Sequence, residues 1–189
     1  MNKIDLKNYK SIQHLVWYIL RETKTNKLPV DIIHICKELN IKIRYYDNNN
    51  DIAKTYKDGF SCITEDDEKI IFFNKSINNS CRHRFTIAHE LGHILLEHNK
   101  DKTKTYNEME TEANMFAIRI LAPLCVLKEM NISSPEELSQ LCNISKTAGK
   151  YRYERLQKAL IKNKFYINPK EKKILQQFNN YINSFSRDI

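Results

Sequence analysis

Glycine and proline are nearly missing from this chain, at 3 and 4 of 189 residues. There is also no serine-rich stretch and no internal repeat, so a flexible linker and a repeat array are both excluded. What remains is one domain of ordinary size, residues 1–165, whose 41% hydrophobic composition is enough for a real core. Residues 166–189 read as a helical tail. Long apolar runs are absent too: stretches such as "HLVWYIL" fall far short of the ~18–20 residues that a membrane span needs. The opening residues are polar and lack the basic, apolar and small-residue order of a signal peptide. The expectation is a cytoplasmic protein with no membrane partner.

Cysteine is present but unpatterned. Cys36, Cys62, Cys81, Cys125 and Cys142 are odd in number, scattered, and form no CxxC pair. That argues against a disulfide framework and against a cysteine-rich zinc site, and leaves small buried or half-buried thiols. The net charge is +8. The lysines are spread along the chain instead of clustered, so charge alone does not point to nucleic acid.

Periodicity supplies the elements. Ile12, Leu15, Val16, Ile19 and Leu20 make an amphipathic helix from Leu6 to about Thr23. "LPVDIIHICKELNIKIRYYD" reads as a proline-led helix to about Leu39 and a strand at Ile41–Tyr46. "GFSCIT" and "KIIFFN" form a hairpin across the acidic turn "EDDE". From Ser80 the pattern is helical. A second helix runs from about Tyr106 to Leu121 and stops at Pro123, and two shorter helices lie between Pro135 and Leu160. The stretch from Glu171 is a weakly amphipathic helix or a frayed tail. A small mixed or antiparallel sheet followed by helices is an α+β arrangement.

The polar residues of "RFTIAHELGHILLEH" (Arg84–His98) set the chemistry. On a helix, residues four apart lie about 40° from each other, so His89 and His93 point the same way and both imidazoles reach one metal ion. Glu90 sits about 100° round from His89, beside the ion and not on it, where its carboxylate can act as general base on water. Apolar residues surround the motif nearly all round, so the helix is expected to be buried and its polar groups to need partners. Gly92 costs about 1 kcal/mol against Ala in a helix interior, which makes sense if something approaches closely there.

A catalytic zinc takes three protein ligands. His98, nine residues after His89, falls about half a turn from the ligand face and reads as a helix-end histidine near the C-terminal dipole. In the next helix Glu110 lies inside the stripe Met109, Ala113, Phe116, Ala117, Ile120, Leu121, while Glu112 is at its edge and Glu108 points outward. The stripe favours Glu110 as third ligand and leaves Glu112 as the alternative. Asn114, one turn after Glu110, is placed to hold a ligand by a hydrogen bond. Two imidazoles and one carboxylate suit Zn²⁺, although the same set also occurs with non-haem iron.

"RFTIAHELGHILLEH" followed by "ETEANMFAIRILAP" resembles the ImmA/IrrE family of zinc metallopeptidases, and "LPVDIIHICKELNIKIRYYD" and "IIFFN" resemble its N-terminal part. The resemblance covers about residues 28–160. It implies a gluzincin-like site with His89, Glu90, His93 and Glu110 at the motif positions. It also implies a protein substrate, a helix-turn-helix repressor inactivated by proteolysis, often in mobile elements or stress responses. "ILAP" departs from the usual Leu-Leu-Met-Pro ending, and Asn114 stands where many relatives have Asp.

"SPEELSQLCNISKTAGKYRYERLQKAL" (within 135–160) has the outline of a helix-turn-helix, with Lys146, Lys150, Arg152 and Arg155 on its second helix. One reading is direct DNA contact. The other is a helical pair packed on the domain through Leu138, Leu141, Ile144, Ala148, Tyr151 and Leu156. The competing function class is therefore a DNA- or protein-binding regulator whose metal site is structural or vestigial. A structural zinc takes four protein ligands.

Overall fold

The computed structural model describes residues 9–163, 165 and 168–185. The elements run α1 (Tyr9–Glu22), α2 (Ile32–Glu38), β1 (Ile41–Tyr46), α3 (Ile52–Thr55), β2 (Gly59–Ile63), β3 (Lys69–Asn74), α4 (Ser80–Leu95), α5 (Tyr106–Leu121), α6 (Leu124–Glu129), α7 (Pro135–Cys142), α8 (Lys146–Ile161) and α9 (Pro169–Phe185). The fold is mixed α+β. The expected start of the first helix at Leu6 lies outside the described residues.

The sheet has the order β1-β3-β2. β2 and β3 form the expected antiparallel hairpin, Ser61 opposite Ile71, and β1 pairs with β3 in parallel, Ile43 opposite Ile71. β2 is thus an edge strand. β2 and β3 both pack on α4, whose other side meets α5. The α4–α5 contact is close because Gly92 permits it: a Cβ there would sit 3.2 Å from Ala113 Cα and 3.2 Å from Phe116 Cδ1. Gly59 meets the same kind of limit on the strand side, where a Cβ would come within 2.5 Å of Thr86 Cγ2.

The α1 stripe Ile12, Leu15, Val16, Ile19 and Leu20 is fully buried. Asn79 caps α4 through Arg82 N–H, and Thr105 and Glu108 form a reciprocal capping box on α5. The outward Glu108 therefore has a structural job.

Three regions differ from the sequence expectation. α5 stops before Pro123 as expected, at Leu121, but Pro123 is also the N-cap of α6, a helix the sequence reading lacked. α8 is a full 16-residue helix and not a short one. The final helix is packed and not frayed, with Ile174 and Phe178 buried and Gln177 Nε2 donating to Leu20 O at 2.8 Å. The α7–α8 pair is tied to the body: Arg84 donates to Asn143 O and Val30 O, and Arg152 to Ala122 O at 2.7 Å. Among the described residues no helix is long and apolar enough to cross a membrane.

Candidate metal centre

α4 presents His89, Glu90 and His93 toward α5 and β2, and α5 answers with Glu110. His93 Nε2 lies 2.9 Å from His89 Nε2, Glu110 Oε1 lies 3.2 Å from His93 Nε2, and Glu110 Oε2 lies 3.4 Å from His89 Nε2. Among the described residues this trio is the group able to share a metal ion. Metal–ligand bonds of ~2.0–2.1 Å in a tetrahedron place ligand atoms about 3.3 Å apart. The observed triangle matches that spacing.

The hydrogen bonds around the trio are compatible with both imidazoles ligating through Nε2. His89 Nδ1 lies 3.0 Å from Asn114 Oδ1, an acceptor, which favours a proton on Nδ1 and frees Nε2 to be the ligating atom. His98 Nε2 lies 3.1 Å from the Glu112 carboxylate and must donate to it. Burial lowers the pKa of His98, against the opposite pull of the Glu112 carboxylate. His98 Nδ1 is 2.9 Å from His93 Nδ1, so one proton lies between them, and it sits on His93 Nδ1 whenever His93 Nε2 serves as a ligand. Burial, with His89 and His98 adding to it, pushes His93 down to about 4, so its ring is neutral at neutral pH. With both rings ligating through Nε2, two imidazole lone pairs and the Glu110 carboxylate face one another. Such a set repels itself, and a cation among the three atoms turns the repulsion into attraction. The donor set fits Zn²⁺.

Glu90 is turned aside from the trio toward β2, where Ser61 Oγ donates to its Oε2 at 2.8 Å. Burial raises the pKa of Glu90, while the Ser61 hydrogen bond and nearby His89 act in the opposite direction. Glu112 does not join the trio. Its Oε2 accepts from His98 and, at 2.7 Å, from Lys104 Nζ.

His98 differs from its sequence expectation. It lies just past the end of α4 as expected, but it does not face away from the ligands: its side chain is only 3% exposed and rests against His93. α4 ends at Leu95, Glu97 adopts φ 54°, and His98 N–H returns to His93 O at 3.1 Å while Glu97 N–H bonds Ile94 O. This is a Schellman turn, which characteristically brings the residue after the left-handed position against the one five before it. The half-turn argument extended the helix past its real end.

A cleft of about 760 Å³ opens over these residues, lined along one side by 55–63, with Phe85, Met109, Tyr106 and Asn114 around the trio. Tyr106 stands at its lip, 71% exposed, its hydroxyl pKa raised chiefly by the Glu110 carboxylate. Ser61 and Tyr106 had no sequence signal, because each reaches the site from another element. On α8, Lys146, Lys150 and Arg155 are exposed, but Arg152 is buried and is no surface contact.

Residues 36–154 match the family model of a peptidase family described as the IrrE N-terminal-like domain. No curated protein matches the chain at a meaningful level of similarity.

Proposed function

The chain belongs to the IrrE N-terminal-like peptidase family, whose match spans well over half of it, and from that premise we propose a zinc-dependent endopeptidase. His89, His93 and Glu110 hold the ion, and Glu90 is the general base. The observation that carries this reading is the convergence of two imidazole Nε2 atoms and one carboxylate within 2.9–3.4 Å. When bound there, zinc supplies a Lewis acid that acidifies water and polarises a peptide carbonyl.

The remaining chemistry belongs to the protein. Glu90, with its affinity for a proton raised by burial, takes one from the attacking water and delivers it to the leaving amine. Ser61 holds the carboxylate in place for both transfers. β2 supports an extended protein segment as substrate. Asn74 N–H bonds Asp58 O and Thr64 N–H bonds Glu68 O, so the even positions of β2 face β3. The N–H and C=O groups of Gly59, Ser61 and Ile63 then point away from β3, on the free edge beside the cleft. An unfolded or extended peptide adds to such an edge as a further strand.

The substrate we assign is a helix-turn-helix repressor, on the strength of the family resemblance, in a regulatory role of the kind found on mobile elements, and the setting is the cytoplasm. The test is incubation with a helix-turn-helix repressor encoded beside this gene, with zinc, with chelator, and with zinc restored. Discrete fragments that vanish with chelator and return with zinc support the proposal. An intact repressor under all three conditions, together with DNA binding that falls steeply with salt, overturns it in favour of a regulator acting through α8.

A further inference from the structure

We propose that His98 is a positioning residue for the metal centre, the middle member of a buried relay that runs from His93 through Glu112 to Lys104. This rests on the reading of His93 as a ligand. The relay is continuous: His93 Nδ1 lies 2.9 Å from His98 Nδ1 and donates to it when His93 Nε2 ligates, His98 Nε2 donates to Glu112 Oε2 (3.1 Å), and Lys104 Nζ donates to the same oxygen (2.7 Å). Lys104 Nζ also lies 3.5 Å from Asp101 Oδ2, but its shorter contact is with Glu112, for which it is the counter-charge. The half-buried Glu112 side chain is thus paired and hydrogen-bonded on the side away from the trio.

The backbone is arranged to bring His98 there. Glu97 occupies the left-handed region at φ 54°, a conformation that costs a non-glycine residue about 1–2 kcal/mol. The Schellman contact normally joins two apolar side chains. Here it joins two imidazoles, with ring centroids 4.9 Å apart. The two histidines of the trio are thus held differently. His89 donates to a neutral amide, Asn114, whereas His93 donates into a relay that ends on an anion. A hydrogen bond from the distal nitrogen toward an anion fixes ring orientation and raises the donor strength of the ligating nitrogen.

The experiment measures zinc affinity of the purified full chain by competition with a chromophoric chelator, alongside the melting temperature of the zinc-free protein. His98→Phe keeps the ring volume and loses both hydrogen bonds. His98→Gln retains an acceptor for His93 and a donor for Glu112. The proposal expects His98→Phe to weaken zinc binding roughly 10–100-fold and His98→Gln to recover most of that, at matched zinc-free melting temperatures. Glu112→Gln, which keeps shape and removes the anion, should weaken binding by about several-fold, and it carries the test if His98→Phe does not fold. Zinc binding by His98→Phe within about threefold of the unmodified protein, no rescue by Gln, or an unchanged Glu112→Gln overturns the role of His98. Failure of the ligand reading itself looks different: the unmodified protein binds no zinc, or His89→Ala binds it as tightly.

Discussion

His89 and Asn114 sit on different helices, yet His89 Nδ1 and Asn114 Oδ1 lie 3.0 Å apart. Asn114 is one turn beyond Glu110 on α5, so the helix that offers a carboxylate to the trio also orients one of its imidazoles. Asn114→Ala leaves the His89 N–H without that acceptor and should weaken zinc binding roughly 10-fold. Asn114→Asp keeps the acceptor and adds an anion, and should bind zinc as tightly as the unmodified protein or more tightly. Chelator competition on both variants checks this, and an Asn114→Ala protein with unaltered affinity would remove Asn114 from the site.

Glu90→Gln keeps the shape of the side chain and its contact with Ser61 but removes the proton acceptor. Turnover of the proposed protein substrate should fall by about 10²–10⁴-fold, while zinc affinity should stay within about threefold, since the residue lies beside the trio and not in it. Loss of metal together with loss of activity would mean that Glu90 is a ligand and the general base lies elsewhere.

Glu110 and Glu112 separate by what each touches. Glu110 faces both Nε2 atoms, and Glu112 faces His98 and Lys104. Glu110→Gln should therefore cost more zinc affinity than the roughly 10–100-fold typical of a residue behind the ligands, and Glu112→Gln less. Titration of the pair with zinc reads the order directly, and a reversed order moves the third ligand by two residues.

Much of this was legible along the chain, and the parts that were not share a cause. The 3.6-residue periodicity located α1, α4 and α5, and the position of Glu110 inside the apolar stripe of α5 pointed it at the histidines. Gly92 stood out as a costly glycine, and its reason is the backbone of Ala113 pressed against it. His98 was misplaced because helix phase holds only while the helix lasts. The usual mark of a Schellman turn, Gly or Asn at the left-handed position, is replaced here by Glu97. Pro123 reads equally as the stop of one helix and the start of the next. The parallel β1–β3 pairing and the Ser61–Glu90 contact join residues about 30 positions apart, and no local pattern encodes such a meeting.

The thiols yield a prediction independent of the metal. Burial pushes Cys36, Cys125 and Cys142 each up to about 12, with Asp31 adding to the effect at Cys36 and Glu171 at Cys125. Cys62 and Cys81 are only half-buried. A thiol reagent at pH 8 should label at most two of the five cysteines in the folded protein and all five in denaturant. The sign of the pH effect follows. Thiols whose folded pKa is raised contribute stability that is intact below about 9 and is lost as pH rises from there toward 12. Denaturation midpoints should fall above about pH 9, and rapid labelling of a third thiol below that pH would contradict the burial.

Gly92 couples packing to the metal site. Replacing it with Ala should help helix formation by about 1 kcal/mol, but the added Cβ meets Ala113 Cα and the Phe116 ring at 3.2 Å. The Phe116 side chain has little room, being fully buried, and a backbone Cα yields only if α5 moves. Overpacking of this kind costs about 1–3 kcal/mol, so the net effect on zinc-free stability should be small to moderately destabilising. The clearer signal lies in the metal. Ala113 is three residues after Glu110 and one before Asn114, so a shift of α5 carries both away from His89 and His93. Gly92→Ala should therefore lose zinc affinity out of proportion to its change in melting temperature. Gly92→Ser, with a slightly larger side chain, should lose more. If both variants bind zinc like the unmodified protein, the α4–α5 spacing does not set the site, and the trio tolerates the shift by side-chain movement alone.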